Sequence, residues 1–302
     1  MPELPEVQTT VNGLNDVLPG LKIVSVWSDY DSLHYKGKEN IKDRKYFSKF
    51  KKEILGAKVL KAERRGKNIL IHLNNERTIL IHMKLTGHLL YGKYEKRKEW
   101  VAKDKGPLQD PFNKYIRLVF ELSNKKHLAL SDMRKFAKIM YLKTKEIEEH
   151  GDIKKIGPDV LKISFKKFKE LLLKKNGLIK NVLMDQSLIS GIGNICSDEI
   201  LWHVGLHPET KIKDIDDKKL QETLKKSKEL LRKGVKLRGD STSDYRDVKG
   251  EKGKFQAYHR AYQQTGEECQ KRSCSGKIQR KTLGGRSAHF CNKHQALKKG
   301  GK

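Results

Sequence analysis

Three cysteines and a histidine near the C-terminus place the tightest constraint on how this chain can fold. They are spaced as Cys269-x4-Cys274-x16-Cys291-x2-His294. Two close pairs separated in this way are what a β-hairpin presents to a tetrahedral metal ion, and three thiolates with one imidazole are an accepted ligand set for zinc. The spacing therefore predicts a β-hairpin that holds one structural Zn²⁺.

The fourth ligand is the least certain member of this predicted site. His289 and Cys196 are weaker candidates for the position given to His294. The alternative to a metal site is three buried thiols beside a surface histidine. A disulfide scaffold is not expected, because four cysteines in 302 residues are too few for one.

The charge of the chain indicates a polyanionic partner. Its 66 Lys and Arg residues against 37 Asp and Glu residues give a formal net charge of +29. An excess of this size is typical of proteins that bind nucleic acid, and the alternative is a chain kept in solution by its lysines. No apolar run approaches the roughly 18 residues that span a bilayer, so no membrane partner is expected. The acidic, proline-bearing N-terminus does not resemble a signal peptide, and we expect a cytoplasmic protein.

The opening Met1-Pro2-Glu3-Leu4-Pro5-Glu6 suggests a reactive N-terminus. Removal of Met1 leaves Pro2 with a free secondary amine, which attacks an aldehyde carbon to give a cationic iminium ion. An α-amine titrates near 7.7–8.0, so a useful fraction is unprotonated at neutral pH. Glu3 stands beside it as a possible proton donor. The alternative is that the prolines and acids only begin a first helix.

The first half of the chain is rich in predicted strands. These segments either alternate apolar and polar residues or consist of consecutive β-branched residues, and turn residues separate them. They predict a two-layer β-sandwich closed by a helix. They are residues 21–27, 57–63, 68–73, 78–83, 115–122, 127–130 and 138–142. Lysine- and glutamate-rich residues 36–53 and 93–104 are predicted as solvated loops or strand edges.

The second half is predicted to be helical at residues 165–174, 178–185 and 216–238. Between the second and third of these lies Ser190-Gly191-Ile192-Gly193-Asn194. Two glycines allow the backbone to approach a phosphate, and the N-terminus of the helix that follows favours an anion.

Five separated motifs resemble, in order, those of the formamidopyrimidine-DNA glycosylases, bacterial base-excision enzymes related to endonuclease VIII. They are the N-terminal hexamer, Arg64-Arg65-Gly66-Lys67 with the turn His82–Gly87, Asp132-Met133-Arg134-Lys135-Phe136, the 177–201 run and the cysteine pairs. The likeness covers nearly the whole chain. Leu4 favours the formamidopyrimidine branch, since the endonuclease VIII branch usually carries glycine there.

The resemblance implies an α+β fold in four parts. Residues 1–145 would form the catalytic N-terminal β-sandwich and residues 146–160 a linker. Residues 161–260 would form a helix-two-turn-helix domain with a loop that covers the lesion, and residues 261–302 a zinc β-hairpin and basic tail. The implied protein is a bacterial, nucleoid-associated monomer that acts on double-stranded DNA with oxidised bases or abasic sites.

The resemblance also implies roles for single residues. Pro2 would be the nucleophile and Glu3 the proton donor, while Lys67 assists proton transfer and Arg286 binds phosphate during elimination. The residues expected to contact DNA are Leu85, Arg134, Phe136, Lys175, Lys180, Asn194 and Glu199. Leu85, Arg134 and Phe136 would fill the space left by a flipped nucleotide, and Glu199 would face the nucleophile and sugar.

The chain departs from the family pattern at several positions. Leu85 replaces a methionine, Cys196 a tyrosine and His294 the last cysteine, and the first cysteine pair is two residues longer. A DNA-contacting histidine before the strand at 115–122 is also missing. The function that the resemblance implies is removal of oxidised purines through a Schiff base on Pro2, followed by β,δ-elimination that cuts the strand. An endonuclease VIII-like enzyme for oxidised pyrimidines and a non-enzymatic zinc protein that binds damaged DNA are the alternatives.

Overall fold

The chain divides into two compact units. The computed structural model describes residues 1–297, so the basic tail at 298–302 lies outside the described residues. Unit 1 contains Met1–Lys154 together with Leu237–Lys254, and unit 2 contains Lys155–Lys236 and the chain from Phe255 onward. The sequence assigned residues 237–254 to the second domain, whereas their contacts group them with the first. We call Leu237–Lys254 the returning segment.

Unit 1 is built from short strands and three helices. The helices are α1 (Leu4–Val17), α2 (Arg44–Ile54) and α3 (Gly151–Lys154). The strands are β1 (Ile23–Ser28), β2 (Val59–Arg65), β3 (Asn68–Leu73), β4 (Arg77–His82), β5 (His88–Gly92), β6 (Tyr94–Lys96), β7 (Trp100–Ala102), β8 (Ile116–Leu122), β9 (His127–Ser131) and β10 (Lys138–Lys143).

Two antiparallel four-stranded sheets form the sandwich. Their strand orders are β1-β8-β9-β5 and β10-β4-β3-β2. Every residue of β3 is buried, including the polar Asn68 and His72 that flank its apolar run Ile69–Ile71. Apolar side chains of both sheets and of α1 and α2 form one core, which includes Phe50, Ile71 and Phe120. The predicted two-layer β-sandwich is confirmed.

The two charged segments predicted as loops or strand edges contain regular structure. Residues 44–54 form α2, where Asp43 caps the helix by accepting a hydrogen bond from the Tyr46 N–H at 2.6 Å. The apolar side chains of α2 at positions 46, 47, 50 and 54 follow helical spacing and pack on the core, although charged residues outnumber them in the sequence. Residues 94–102 form the antiparallel β6–β7 pair.

Unit 2 has a helical part and a hairpin. Its helices are α4 (Phe165–Leu173), α5 (Ile179–Leu183), α6 (Asn194–Val204) and α7 (Asp217–Lys236), and its strands are β11 (Ile278–Leu283) and β12 (Arg286–Cys291). Gly284 and Gly285 join the two strands with positive φ angles of 55° and 73°, which glycine adopts without a steric penalty. The predicted helical region and C-terminal β-hairpin are confirmed. Within residues 1–297, no helix combines the length and apolar character needed to cross a membrane.

Candidate functional site

The N-terminus is folded into unit 1. Pro2 and Glu3 are buried, and α1 begins at the next residue, Leu4. The Glu6 carboxylate accepts a hydrogen bond from the Glu3 backbone N–H at 2.7 Å. This bond is one half of a capping box and satisfies an N–H group that has no partner within the helix. The candidate nucleophile and the carboxyl group beside it are therefore held at the start of a helix.

Glu6 also connects α1 to the returning segment. Its Oε1 atom accepts a hydrogen bond from the Asp240 N–H at 2.8 Å, and its carbonyl oxygen accepts one from the Tyr245 hydroxyl at 3.1 Å. Burial raises the pKa of Glu6 to about 7, and the negative charge of Glu3 adds to the rise while the two N–H donors oppose it. A carboxyl group with this pKa exchanges its proton near neutral pH.

The returning segment is fixed to unit 1 at several further points. The buried Arg246 places Nε 3.1 Å from the Asp110 carboxylate and its guanidinium carbon 4.8 Å from the centre of the Phe112 ring. The Val248 carbonyl accepts a hydrogen bond from the Tyr91 N–H at 2.7 Å. These contacts hold the segment beside the N-terminus of α1.

Lys67 lies in the tight turn between β2 and β3 and is buried. Arg64, at the end of β2, donates from Nε to Gln8 Oε1 at 2.8 Å and so fixes this turn against α1. Burial lowers the pKa of His82 to about 3, and the positive charges of Lys84 and Lys67 contribute. The Lys67 turn, α1 and the loop after β4 therefore share one region of unit 1.

Asp132 holds two loops together. Its carboxylate accepts hydrogen bonds from the Thr86 hydroxyl at 2.5 Å, the Tyr30 hydroxyl at 2.7 Å and the Ala137 N–H at 2.8 Å. The Thr86 hydroxyl oxygen in turn accepts from the Arg134 N–H at 3.2 Å. The loop after β4 and the loop after β9 are thus one connected element.

Three exposed side chains project from these connected loops. Leu85 is 38% exposed and Phe136 is 45% exposed, so both apolar side chains are accessible to a ligand. The Arg134 guanidinium carbon lies 4.6 Å from the centre of the Phe136 ring. An arginine stacked on an exposed phenylalanine, with a leucine on the joined loop, can insert between bases and offer a donor to an unpaired base.

In unit 2 the glycine-rich turn leads directly into α6. Gly191 has φ +114°, and its N–H donates to Gln186 Oε1 at 3.0 Å. Asn194 is the first residue of α6, and its Oδ1 atom is buried with no donor among residues 1–297. This arrangement of glycines, helix N-terminus and asparagine is suited to bind a phosphate.

The four residues predicted to bind a metal come together. The ligand atoms of Cys269, Cys274, Cys291 and His294 all lie within 4.8 Å of one another. Cys274 Sγ is 3.7 Å from Cys291 Sγ, and Cys269 Sγ is 3.1 Å from His294 Nδ1. The other ring nitrogen, Nε2, lies 2.9 Å from the Trp202 carbonyl oxygen. A hydrogen bond to a carbonyl in this position orients the imidazole, as is common for histidines that bind a metal.

This donor set fits a zinc ion, because thiolates and an imidazole at such separations match a tetrahedral site. The weaker candidates for the fourth ligand lie outside the group. His289 Nδ1 is 2.7 Å from the Asp198 carboxylate, and Cys196 is buried in α6.

Two family models match this chain. The model of the formamidopyrimidine-DNA glycosylase N-terminal domain matches residues 1–139, and that of the H2TH domain of the same enzyme matches residues 156–246. The formamidopyrimidine-DNA glycosylase of Pelotomaculum thermopropionicum is 33% identical over 300 residues, which cover 99% of this chain and 100% of the relative. The chain belongs to the formamidopyrimidine-DNA glycosylase family.

Further comparisons agree with this family assignment. The Bacillus subtilis formamidopyrimidine-DNA glycosylase is 30% identical over 300 residues, covering 99% of this chain and all of that protein. A Lactococcus lactis Fpg in complex with abasic-site DNA superposes with a TM-score of 0.82 at 28% identity, covering 98% of this chain and 100% of that one. A Lactococcus lactis Fpg mutant with Fapy-dG DNA gives 0.82 at 29% identity and the same coverage.

Two residues expected to contact DNA have other partners. Lys180 Nζ lies 2.5 Å from the Asp198 carboxylate, and the side chain is completely buried. Glu199 is buried and accepts hydrogen bonds from the backbone N–H groups of three successive residues, 260 to 262. In this structure Lys180 is thus paired with Asp198 and Glu199 with backbone N–H groups, and a phosphate contact for Lys180 and a sugar contact for Glu199 stay predictions.

The remaining candidates of unit 2 are accessible. Lys175 is half exposed, with Nζ 3.7 Å from the Asp185 carboxylate. Arg286 is exposed at the first position of β12, directly after the glycine turn. A Cβ at Gly284 would lie 3.0 Å from Asn181 Oδ1, so this turn packs closely on α5. Phosphate contacts by Lys175 and Arg286 stay predictions.

Sequence reasoning did not identify Glu6, Asp132 or Asp198 as organising residues. Each is an acid whose partners are distant in the chain, such as Asp240 for Glu6 and Thr86 for Asp132. Glu6 follows Glu3 by three residues, which is the capping-box spacing. That spacing was the one local signal for it.

Proposed function

We propose that this chain is a bifunctional DNA glycosylase and abasic-site lyase of base-excision repair that removes oxidised purines from duplex DNA. The observation that carries the proposal is the N-terminus, where Pro2 and Glu3 are fixed together at the start of α1 by Glu6. Family membership supports it, as do the abasic-site and Fapy-dG DNA bound by structurally similar proteins.

Base removal uses the two N-terminal residues. Met1 is exposed, and its removal frees the Pro2 amine. The amine nitrogen forms a bond to C1′ of the damaged nucleoside while the bond from C1′ to the base breaks. The base leaves with that electron pair and takes up the proton that the amine nitrogen loses. Glu3 donates a proton to the sugar ring oxygen, so the ring opens and an iminium ion forms between the amine and C1′.

Strand cleavage follows from the positive charge of the iminium ion. This charge acidifies the C2′ proton, whose loss expels the 3′ phosphate, and a second elimination expels the 5′ phosphate. Lys67 assists these proton transfers from its buried turn, and Asn194 and Arg286 hold the phosphates. Hydrolysis of the imine then releases the sugar remnant and restores the amine.

Leu85, Arg134 and Phe136 keep the duplex open during the reaction. Flipping a nucleotide costs a few kcal/mol of stacking and pairing, which an inserted apolar side chain and a donor offset. The returning segment, joined to Glu6, would cover the flipped purine. Lys175 is the remaining lysine proposed to bind phosphate.

We also propose that the Cys269, Cys274, Cys291 and His294 group holds one structural Zn²⁺. A bound zinc cross-links the hairpin and so contributes to folding rather than to chemistry. All proposed residues come from one chain, so a monomer is sufficient. The proposed place of action is the bacterial nucleoid, in the cytoplasm, where the substrate is found.

Borohydride trapping tests the proposal. Protein with a free Pro2 is mixed with duplexes that carry 8-oxoguanine opposite cytosine, an oxidised pyrimidine or an abasic site, and the imine is reduced to a stable adduct. We expect adducts with the 8-oxoguanine and abasic duplexes and none from a Pro2→Gly variant or a protein with an N-terminal extension.

Each other outcome has a defined meaning. A stronger adduct with the oxidised pyrimidine supports an endonuclease VIII-like specificity. An adduct with the abasic duplex alone supports the lyase activity and contradicts 8-oxoguanine as the base that is removed. Tight binding without any adduct supports a non-enzymatic protein, and an undiminished adduct from Pro2→Gly contradicts Pro2 as the nucleophile.

A further inference from the structure

A cleft that the proposed reaction does not use lies under the β6–β7 hairpin of unit 1. One part is a cavity of about 540 Å³ lined by Trp27 and Trp100. The two indole rings are 5.8 Å apart at an angle of 56°. Lys96 Nζ lies 3.8 Å from the centre of the Trp27 ring, on the face that a flat ligand would occupy. We call this cavity and the smaller one beside it the tryptophan cleft.

The smaller cavity has a volume of about 260 Å³ and shares Trp100, Glu99 and Lys114 with the larger one. It is also lined by Tyr94, which is only 5% exposed. The Tyr94 hydroxyl and the Trp100 indole N–H are both buried without a hydrogen-bond partner among residues 1–297. Buried polar groups are normally satisfied, so two unused donors here indicate a ligand with acceptor atoms.

The charge of the cleft favours an anion. The larger cavity is lined by four cationic side chains (Lys96, Lys98, Lys114 and Arg117) and two carboxylates (Asp29 and Glu99). Asp29 is already paired, with Arg117 Nη1 at 2.7 Å and Lys135 Nζ at 3.2 Å. The remaining lysines carry positive charge at the rim of an aromatic cavity.

The cleft is connected by hydrogen bonds to the loop that carries Arg134 and Phe136. Arg117, which lines the cavity, donates from Nε to the Asp132 carbonyl at 3.4 Å. Lys135 Nζ lies 3.3 Å from the Asp29 carbonyl oxygen. A nucleic-acid strand lying along this loop would therefore meet the cleft within the same unit.

We propose that the tryptophan cleft binds an unstacked nucleotide of single-stranded DNA. The base stacks on the Trp27 ring after Lys96 leaves its face, and the carbonyl oxygens of the base accept from the Tyr94 hydroxyl and the Trp100 N–H. Lys96 and Lys114 then bind the adjacent phosphates. Stacking platforms rimmed by cations are how proteins bind single strands without sequence preference. The inference depends on the proposed function in one respect, namely that the bound single strand is DNA.

The test measures binding of a fluorescein-labelled oligothymidylate by anisotropy and by quenching of tryptophan fluorescence. The Lys96→Ala/Lys114→Ala variant is compared with Lys51→Ala/Lys126→Ala. All four lysines lie over an aromatic ring of unit 1, at 3.8 to 5.9 Å, so the two variants lose the same charge and the same kind of contact. We expect about tenfold weaker binding from the first variant and little change from the second.

Two further variants keep the test independent of folding. Tyr94→Phe removes only a hydroxyl group without a partner in the part of the chain that the structure describes, so it leaves the fold intact and should weaken binding several-fold. In a protein with Trp27→Phe and Trp100→Phe, Trp202 is the remaining tryptophan, and the quenching should disappear. Equal losses from the two lysine variants, or quenching that persists without Trp27 and Trp100, would overturn the proposal.

Trapping on the abasic duplex is measured with the same variants. If the parent protein forms an adduct and the cleft variants bind oligothymidylate as tightly as the parent, the tryptophan cleft is rejected as a binding site and the glycosylase hypothesis is retained. If the cleft variants selectively lose oligothymidylate binding and the parent protein forms no adduct, the proposed function is rejected. The tryptophan cleft is then retained as a site for single-stranded DNA.

Discussion

The ammonium group of Lys180 lies 2.5 Å from the Asp198 carboxylate, and both side chains are withdrawn from solvent. The second carboxylate oxygen accepts hydrogen bonds from the His289 backbone N–H at 3.1 Å and from its ring Nδ1 at 2.7 Å. Asp198 lies on α6 and His289 on β12. One buried carboxylate therefore joins the helical part of unit 2 to the strand that supplies Cys291.

Asp198→Asn should destabilise unit 2 strongly. It leaves the Lys180 charge buried without compensation, and breaking a buried pair in this way costs about 3–5 kcal/mol. The control is Asp217→Asn, which breaks a largely exposed pair with Lys169 at 2.6 Å and should cost less than about 1 kcal/mol. Urea unfolding followed by circular dichroism measures both. Similar costs for the two variants would contradict a structural role for the buried pair.

Phe136→Ala should impair opening of the duplex. Phe112 provides a matched control, because it is 40% exposed against 45% for Phe136 and also lies under an arginine. A 2-aminopurine placed opposite an abasic site reports unstacking by its fluorescence. We expect Phe136→Ala to lower the signal and weaken binding about tenfold, since a wedge offsets a few kcal/mol of lost stacking. Phe112→Ala should behave as the parent. An equal effect of Phe136→Ala and Phe112→Ala would contradict the insertion of Phe136 between bases.

Glu6 should make stability depend on pH between about 4.5 and 7. Its pKa is about 7 in the folded chain against an ordinary value of 4.5, so the folded state binds the extra proton in this range. The contribution to stability is therefore complete below the ordinary value and is lost as the pH rises through the folded pKa. Melting temperatures across this range should fall less steeply for Glu6→Gln than for the parent. Glu170→Gln, at an exposed position, should leave the slope unchanged, and an unaltered slope for Glu6→Gln would refute the assignment.

Cys274→Ala should lower the zinc content well below one ion per chain, because it removes one of four ligands. Cys196→Ala is the control, since it also removes one thiol but Cys196 lies outside the group. Metal analysis of purified proteins distinguishes the two. A chelator should likewise lower the melting temperature of the parent more than that of Cys274→Ala. Full zinc content in Cys274→Ala would show that the ion binds elsewhere.

Arg246→Met should separate base removal from strand cleavage. It breaks the contacts with Asp110 and Phe112 that hold the returning segment, and a mobile segment would cover a flipped purine poorly. We expect excision of 8-oxoguanine to fall about tenfold and cleavage of an abasic duplex, which has no base to cover, to stay near the parental rate. Single-turnover assays on the two duplexes measure this. Equal losses on both would indicate a general defect in folding.

Local patterns allowed much of the fold to be predicted. The spacing of Val7, Val11 and Leu14 predicted α1, and apolar runs such as that of β3 predicted the strands of the sandwich. The paired cysteines predicted the β11–β12 hairpin and brought four ligand atoms into one group. Helix α2 was not predicted, because charged residues outnumber its apolar residues at 46, 47, 50 and 54, although these four follow helical spacing.

The sequence by itself determined the family, the two-layer sandwich and the grouping of the three cysteines with His294. All of these depend on residue type and short spacing, which determine local geometry and chemistry. Only the tertiary structure decided which charged groups are exposed and which are buried against other parts of the chain. Lys180 and Glu199 resemble surface residues in the sequence but are enclosed by Asp198 and by the backbone of residues 260–262, and Glu6 has a raised pKa because the returning segment buries it. Burial and charge pairing depend on contacts between distant parts of the chain, and no local pattern records them.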